Sequence, residues 1–575
     1  MSASTVDGSG AAEGTLPAGG HPYGRRQAGS GARPLAATAR LPRWWPLAAI
    51  TLLAAALRLS TLDLQSFWYD EAFTPVHVLH PSLWATLRSV VHTENSPPLW
   101  YVIAWLDARV LGTGEVALRL PSALAGIATV PVAWEIGREL AGRRAAIGCA
   151  LLVAVNPLFV WYSQEARVYS LFVFTSALAL LCFLRAEREP TGRRMAAFAG
   201  AGALALLTHY FAVFMLIPMA LWLLCQRPLR RAALPAIAAL TVVGLALLPL
   251  IFAQGGHGTQ WIGRWPLSER LLAIPQYYLL GPSGEPLGHG IELLVALPLL
   301  AAAGLGLWRL SGQPTAAPEP AVAPAPSRGR DGAHAEGHGQ VHDRLEEGSA
   351  RTPERAASIV AFVAGGGVLL PLLLAIFGAD YLAPRNLVGA MIPLTALIVV
   401  LALAPQTGRA GAVLLALGAF GFAVITIDVD LSPRLQRGNW REVARVLRTP
   451  ALASQGRASP RALRSRAITT VELGSAPLEY YLPGLHNLPA GSSVLVSEID
   501  ETGYAPLRAS AGEPPAQGFR LLARLDVDGL IVYRFVSPLP RRVREATLRR
   551  HVITLAHPEV LVPSVRAQSR LVNGG

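Results

Sequence analysis

Carboxylate side chains occur in two short polar clusters, each next to an apolar segment of the chain. The first cluster contains Tyr69, Asp70 and Glu71, and the second contains Glu94 shortly before two prolines. A positioned carboxylate beside an apolar cavity suits general-base catalysis, in which the base removes a proton from a reacting hydroxyl group. Asp70, Glu71 and Glu94 are therefore candidate catalytic residues.

Later polar clusters add arginine, amide, histidine and tyrosine side chains at the ends of further apolar segments. An arginine guanidinium suits a phosphate group, because its planar fork matches the phosphate oxygens. Ionisable side chains at the edge of hydrocarbon are energetically costly, so they mark candidate functional positions. The remaining candidate site residues are Arg58, Gln164, Glu165, Arg167, Tyr169, His209 and Arg385, with Tyr69 as a further substrate contact.

The acidic candidates also have structural interpretations. Asp70 and Glu71 form either an ordinary acid pair beside Arg58 or a functional pair, which the flanking aromatic residues favour. Glu94 either takes part in the chemistry or caps the helix that begins at Pro97.

The candidates on later loops likewise have both a functional and a structural interpretation. Gln164, Glu165 and Arg167 either contact substrate or form a network that holds helices together. His209 either joins Glu94 around a divalent metal or is a hydrogen-bonded packing histidine, and residue type favours packing. No cofactor is assigned, and a divalent metal is the open alternative.

Two candidates lie where a membrane interface is expected. Tyr169 is more typical of an interfacial aromatic residue than of a substrate contact. Arg385 either extends its charge from the hydrocarbon to the interface or contacts a phosphate.

The composition indicates a membrane protein. Of the 575 residues, 52% are hydrophobic and 15% are charged, whereas a soluble domain has about 25% charged residues. The net charge is +13, and every basic residue is an arginine. These arginines collect in alternate loops, which indicates membrane topology and argues against a nucleic-acid partner.

Eleven apolar blocks predict about eleven transmembrane helices. The blocks are 44–62, 118–137, 145–161, 170–185, 196–208, 211–226, 233–253, 291–309, 358–377, 386–404 and 410–427. Cytoplasmic loops collect positive charge, so the arginine-rich loops are expected inside a plasma membrane. The N-terminus is then cytoplasmic, and the candidate site and the C-terminal part are extracytoplasmic.

The predicted fold is an all-α polytopic membrane protein with interfacial helices and a small C-terminal extracytoplasmic α/β domain. Its segments are a disordered cytoplasmic tail (1–43), a transmembrane module (44–310) with a first outer loop (63–117), a disordered cytoplasmic linker (311–357), further transmembrane helices (358–427) and the extracytoplasmic domain (428–575). Strands are expected at 467–473, 492–499 and 529–536, and a helix at 439–447.

Two helices within the first outer loop are expected to lie at the membrane interface. Segment 97–111 is apolar but short and contains Asp107 and Arg109. A membrane crossing here would place the arginine-rich loop 138–144 outside, against the charge rule. Segment 81–91 has one apolar face and predicts a second interfacial helix.

Five phrases in a fixed order resemble the glycosyltransferase C superfamily, over about residues 45–430. They are WYDEA (68–72), an acidic residue before PPLWY, LRLPSALAG (118–126), YSQEARVY (162–169) and YLAPRN (381–386). The branch that they resemble contains the protein O-mannosyltransferases and the aminoarabinose transferase of lipid A. Each phrase alone is unspecific, and the order of all five carries the resemblance.

This resemblance implies a polyprenyl-phosphate sugar donor, an extracytoplasmic active site and inverting transfer to a protein, lipid or glycan acceptor. It gives Asp70 or Glu71, together with Glu94, the carboxylate roles. It also makes Arg385 the residue that contacts the donor phosphate, with Arg167 as a second candidate. Many relatives have this arginine directly before a tyrosine, whereas here Tyr381 precedes Arg385.

Two other functions are compatible with a polytopic protein. A transporter or flippase of lipid-linked sugars would bind the same lipid, but it is expected to have internal repeats and charges at mid-membrane. Neither feature occurs in the sequence. A non-catalytic scaffold that displays the C-terminal domain leaves the Asp70, Glu94 and Arg385 cluster without a role.

Overall fold

The structure is a computed structural model, and it describes seven parts of the 575-residue chain. They are residues 44–257, 259–282, 289–311, 351–451, 466–551, 553–554 and 558–564. The predicted tail 1–43 and most of the predicted linker 311–357 lie outside these residues, so both stay predictions.

The first half of the chain is helical throughout its described part. Its helices are α1 (Trp45–Leu59), α2 (Tyr69–Phe73), α3 (Leu83–Thr93), α4 (Leu99–Leu111), α5 (Glu115–Val155), α6 (Pro157–Ser163), α7 (Tyr169–Arg188), α8 (Gly192–Thr208), α9 (Ala212–Cys225) and α10 (Arg227–Gln254). The two helices expected in the first outer loop are present as α3 and α4. Their position at a membrane interface stays a prediction.

Helix α5 contains a sharp reversal rather than one continuous rod. Ala141 and Gly142 have non-helical backbone angles, and Gly142 adopts a φ of +75°. A Cβ atom at Gly137 would lie 2.4 Å from the carbonyl oxygen of Ala145, so the two arms of the hairpin touch. The blocks 118–137 and 145–161 are therefore separate helical arms, as their separation by an arginine-rich loop predicts.

The second half adds the remaining apolar helices. They are α11 (Gln260–Arg264), α12 (Leu267–Leu280), α13 (His289–Ser311), α14 (Pro353–Ile376), α15 (Met391–Ala402) and α16 (Gly408–Leu431). Helix α14 begins inside the predicted linker, because Thr352 caps it through the backbone N–H of Arg355 and Pro353 suits the first helical turn.

Six helical segments in the described part are long and apolar enough to cross a membrane. They are Glu115–Val155, Tyr169–Arg188, Arg227–Gln254, Pro353–Ile376, Pro384–Ala402 and Pro405–Leu431, and three shorter apolar helices accompany them. A multi-pass, mainly helical membrane protein is therefore confirmed. The count of eleven membrane-crossing helices stays a prediction.

The C-terminal part contains a six-stranded sheet flanked by short helices. Its elements are α17 (Trp440–Arg448), β1 (Arg466–Thr470), α18 (Ser475–Tyr481), β2 (Leu485–Asn487), β3 (Ser493–Gly503), β4 (Arg520–Val527), β5 (Leu530–Arg544), α19 (Glu545–Arg550) and β6 (Glu559–Pro563). The strand order is β2-β6-β1-β3-β5-β4, with β1 and β3 parallel and the other neighbours antiparallel. The three strands and the helix expected here are all present.

The C-terminal domain packs directly on the first outer loop. The backbone N–H of Trp440 donates to Ser66 Oγ at 2.9 Å, and the Tyr480 hydroxyl donates to the Thr113 carbonyl at 3.0 Å. These contacts hold the domain next to the segment that carries Asp70 and Glu71.

Candidate functional site

Asp70 and Arg385, two predicted site residues that are far apart in the sequence, form an ion pair. Arg385 Nη1 donates to Asp70 Oδ2 at 2.9 Å. Asp70 lies in the first turn of α2, and Arg385 lies in the 3₁₀ turn Pro384–Ala390 that leads into α15. The two side chains are 16% and 25% exposed, so the pair remains within reach of a ligand.

Aromatic rings surround the Arg385 guanidinium. The ring centroid of Trp261 lies 4.7 Å from the guanidinium carbon and that of Tyr169 lies 6.0 Å away, which are distances suited to cation–π contacts. Within the described part of the chain, Nη1 is the only Arg385 nitrogen that donates a hydrogen bond. Its other N–H groups can therefore bind a second anion.

An ion pair between buried Arg270 and partly exposed Asp380 holds the loop that carries Arg385. Arg270 of α12 donates to the two carboxylate oxygens of Asp380 at 2.6 and 2.7 Å, and to the Leu382 carbonyl at 2.8 Å. This bidentate contact fixes the backbone shortly before Arg385, so it contributes to the placement of the guanidinium.

A cavity of about 650 Å³ has Arg385 among its lining residues. Its walls come mainly from apolar residues of α9 and α10, including Ile217, Leu245 and Leu248. Its polar lining includes Asn95, Ser96, Tyr169, His209, Tyr210, Gln254, Tyr381, Arg385 and Asn386. The cavity thus suits a ligand with an apolar body and an anionic end.

Glu71 is buried and fully engaged by another arginine. Arg119 of α5 donates to both of its carboxylate oxygens at 2.7 Å, and the backbone N–H of Ala166 donates to Oε1 at 2.8 Å. Burial alone would raise the pKa of Glu71, but Arg119 and Arg437 outweigh it and lower the pKa. The contacts with Arg119 and Ala166 therefore favour the ionised form of Glu71, which anchors this part of the chain.

Glu94 is likewise held by neighbouring side chains. The Tyr101 hydroxyl donates to Oε2 at 2.6 Å, and Arg167 donates to the two carboxylate oxygens at 3.1 and 3.4 Å. Helix α4 begins after Pro98 with no side-chain cap, so the proposed capping role of Glu94 is not seen.

The tetrapeptide Gln164–Arg167 connects four parts of the molecule, one per residue. Gln164 Nε2 donates to the Leu57 carbonyl of α1 at 3.0 Å and also to the Thr61 hydroxyl. Glu165 accepts from Arg437, which follows the last apolar helix, at 3.0 Å. Ala166 and Arg167 hold the two acidic clusters, as described above. Of the two interpretations of these residues, a network that joins elements is the one that their contacts match.

Arg58 is completely buried and donates hydrogen bonds to carbonyl groups at the C-terminal end of α5. It donates to the carbonyls of Ala154 at 2.8 Å and Val153 at 3.0 Å, and to Ser163 Oγ at 3.0 Å. These contacts satisfy carbonyls at a helix C-terminus, so Arg58 stabilises the scaffold beneath the site.

His209 packs in the wall of the cavity. Its ring stacks on Phe172 with centroids 4.6 Å apart, and its Nδ1 accepts the backbone N–H of Phe211 at 3.2 Å. Burial and then the charge of Arg385 lower its pKa to about 3, so the imidazole is neutral. Among the described residues, no group of three or more His, Cys, Asp or Glu side chains is placed to hold a metal ion.

The two predicted tyrosines of the site, Tyr69 and Tyr169, pack against neighbouring aromatic rings. Tyr169 is buried against Tyr162, with ring centroids 4.7 Å apart. Tyr69 packs against Trp68 at 4.4 Å, beside the acid pair.

Several residues of the site were not predicted from the sequence. Arg119 lies within the phrase LRLPSALAG, and an arginine in an apolar helix was an available signal. Arg437, Arg270 and Tyr101 carry no comparable local signal, because their partners are distant in sequence.

Residues 95–252 match the model of the family described as dolichyl-phosphate-mannose-protein mannosyltransferase. The predicted family resemblance is confirmed. The matched segment contains Pro97 and Pro98, which follow Glu94, the tetrapeptide 164–167, helix α9 and all but the last two residues of helix α10.

Two proteins of Bacillus subtilis (strain 168), named as candidate mannosyltransferases, match a similar length. YycA is 28% identical over 152 residues, which is 25% of this chain and 22% of YycA. YkcB is 25% identical over 150 residues, which is 24% of this chain and 21% of YkcB. The chain thus matches less than a quarter of the length of either relative.

Among solved structures, the chain is similar to ArnT from Cupriavidus metallidurans bound to undecaprenyl phosphate. The TM-score is 0.46 at 13% identity, over 86% of this chain and 98% of that chain.

Proposed function

We propose that this chain transfers a sugar from a polyprenyl-phosphate donor to an extracytoplasmic acceptor, with inversion at the anomeric carbon. The observation that carries the proposal is the largely apolar cavity that Arg385 helps to line, since Arg385 itself contacts Asp70. An isoprenoid chain is apolar and its phosphate is anionic, so such a donor fits the walls and the arginine at once.

Inverting transfer needs a base at the acceptor hydroxyl and a cation at the leaving phosphate. In the proposed step, Asp70 takes the hydroxyl proton while the acceptor oxygen attacks the anomeric carbon. The bond between that carbon and the phosphate oxygen breaks, and the phosphate leaves as an anion that Arg385 stabilises.

The contact between Asp70 and Arg385 is compatible with these separate roles. A phosphate that binds the guanidinium on the side opposite Asp70 would have its oxygen about 8 Å from the Asp70 carboxylate. This distance is the sum of two hydrogen bonds of about 2.9 Å and the separation between two guanidinium nitrogens. Carboxyl groups that flank a sugar in inverting glycosidases are roughly 6.5–9.5 Å apart, so this span leaves room for a sugar and an acceptor oxygen.

The neighbouring carboxylates support Asp70 as the base. Within the described residues, Glu71 has no exposed surface and accepts three hydrogen bonds, whereas Asp70 is partly exposed and has a single arginine partner. That partner is the residue expected to turn toward the donor phosphate when the donor binds.

The proposal is tested with purified protein in nanodiscs and a panel of polyprenyl-phosphate hexoses and pentoses. Asp70→Asn is expected to lower the transfer rate about 100- to 10,000-fold without weakening donor binding, because the amide keeps the shape of the side chain but cannot act as a base. Arg385→Ala is expected to weaken donor binding as well, because it removes a charge-assisted contact to phosphate.

Two exposed residues of the outer segments provide matched controls. Asp63→Asn and Arg264→Ala make the same chemical changes outside the cavity and are expected to retain normal transfer. Normal transfer by both Asp70→Asn and Arg385→Ala would place the chemistry elsewhere. Movement of intact donor between leaflets without any transfer would favour a flippase.

A further inference from the structure

Arg437 lies in the short segment between the last apolar helix, α16, and the first helix of the C-terminal domain, α17. Its side chain is 4% exposed, and its Nη2 donates to Glu165 Oε2 at 3.0 Å. Its backbone N–H donates to Gln65 Oε1 at 3.0 Å, and its guanidinium lies 4.1 Å from the ring centroid of Trp161. The C-terminal domain is thus joined to the candidate site by a buried charge.

Glu165 is the one residue of the tetrapeptide 164–167 whose side chain reaches the C-terminal part. The next residue, Ala166, donates its backbone N–H to Glu71, and Arg167 holds Glu94. A displacement of Glu165 therefore moves the backbone that fixes Glu71 and, one residue earlier, Asp70.

We infer that Arg437 is a positioning residue for the proposed transfer, and that it holds Glu165 so that Asp70 stays aligned with Arg385. The inference rests on the proposed function and adds a role for the C-terminal domain. The attachment of the C-terminal domain then helps to set the geometry of the site, in addition to holding the domain in place.

The charges around Glu165 support this assignment. Burial raises the pKa of Glu165 to about 7, and Arg437 is the largest influence that opposes the rise. Glu71 and Asp70 raise this pKa further, whereas Arg167 lowers it. In the described part of the chain, Glu165 Oε1 and Arg437 Nε are buried without a hydrogen-bond partner. Arg437 Nη1 donates to the Gln164 carbonyl at 3.4 Å, so the hydrogen bonds of this guanidinium go to two neighbouring residues of the tetrapeptide.

A second ion pair of the same region provides a matched control. Arg441 of α17 contacts Glu115 at 2.5 Å and donates to the Asp63 carbonyl at 3.0 Å. This pair also joins the C-terminal domain to the helices, but it is 37% exposed on the arginine side and does not touch the tetrapeptide. Loss of Arg441 weakens docking and leaves Glu165 in place.

The test compares Arg437→Gln with Arg441→Gln at equal abundance in nanodiscs, by transfer kinetics and by hydrogen exchange. Arg437→Gln is expected to lower kcat about 10- to 100-fold through misplacement of Asp70, with little change in donor affinity. It is also expected to raise exchange in segments 66–73 and 162–169. Arg441→Gln is expected to retain near-normal kcat and unchanged exchange in 162–169.

The pH profile separates positioning from simple stabilisation. Wild-type transfer is expected to fall as the pH drops below about 7, because Glu165 takes up a proton and releases Arg437. Glu165→Gln and Arg437→Gln are each expected to remove this limb near pH 7, and the double variant to lose no more rate than Arg437→Gln alone. Glu165→Gln provides the same comparison if Arg437→Gln does not accumulate.

Equal effects of Arg437→Gln and Arg441→Gln on kcat, with unchanged exchange in 162–169, would overturn the inference and reduce Arg437 to a docking contact. If the wild-type protein transfers nothing from any lipid-phosphate sugar, the proposed function fails instead. The exchange comparison then still decides whether Arg437 holds these two segments.

Discussion

Asp70 and Glu71 are adjacent in sequence, yet their carboxylates lie in different environments. The bidentate contact with Arg119 encloses Glu71, and the same arginine also donates to the carbonyls of Leu62, Gln65 and Ser66. One arginine therefore folds the backbone of the first outer loop around Glu71. Asp70, one residue earlier, pairs with Arg385, which lines the cavity.

We expect substitution of the two carboxylates to have different effects on stability and on transfer. Glu71→Gln leaves the buried Arg119 charge uncompensated, which costs about 3–5 kcal/mol of stability, so a lower thermal unfolding temperature and lower abundance are expected. Asp70→Asn is expected to unfold close to the wild-type temperature and to lose transfer. Thermal unfolding and transfer rate are measured on the same preparations.

The opposite pattern would contradict this assignment. A Glu71→Gln protein with wild-type stability and no transfer would make Glu71 the base, with Asp70 as its neighbour.

Close contact between helical elements depends on a few glycines. Gly126 of α5 lies against Ser163 and Arg58, and a Cβ atom there would be 2.0 Å from Ser163 Oγ and 3.0 Å from Arg58 Nε. Ser163 also donates to the Phe159 carbonyl at 2.6 Å. The approach of α5 to α6 therefore sets the position of the tetrapeptide that follows α6.

At the element scale, Gly126→Ala is expected to destabilise the protein by about 1–3 kcal/mol, because the added methyl group overpacks a buried contact. Gly200→Ala is the matched control, since Gly200 is also helical and no atom lies within 4 Å of its added Cβ. This control is expected to be neutral or to stabilise by about 0.5–1 kcal/mol. Unfolding in detergent measures both, and equal stability of the two variants would refute the packing argument.

The distribution of arginine residues bears on the orientation of the whole molecule in the membrane. Arg138, Arg143 and Arg144 surround the reversal within α5, whereas the first outer loop precedes α5 at the opposite end of that helical arm. If α4 lies at the interface and does not cross the membrane, the first outer loop is outside and the arginine-rich reversal of α5 is inside. The orientation of the molecule therefore depends on the prediction for α4.

At the scale of the whole molecule, a cysteine at Gly114 is expected to react with an impermeant thiol reagent applied from outside. Gly114 is exposed, precedes α5 and has no atom within 4 Å of an added Cβ, so the substitution is tolerated. Arg143→Cys is the control and is expected to react only after permeabilisation. Exposed Cys225 is first replaced by serine, and a reversed labelling pattern would require α4 to span the membrane.

The sequence by itself predicted the long apolar helices, three of the six C-terminal strands and part of the set of candidate charges. These features depend on local composition and periodicity: apolar blocks predict helices, and alternating β-branched residues predict strands. The predicted strand 467–473 and helix 439–447, for example, appear as β1 and α17 with small changes at their ends.

Only the tertiary structure decided how the charges are paired. Asp70 and Arg385 are 315 residues apart, Glu71 and Arg119 are 48 apart, and Glu165 and Arg437 are 272 apart. Local pattern contains no information on such pairs, because helix packing and the docking of the C-terminal domain bring them together. The difference between an anchoring carboxylate and an available one therefore arises from burial and partners, which residue type alone does not specify.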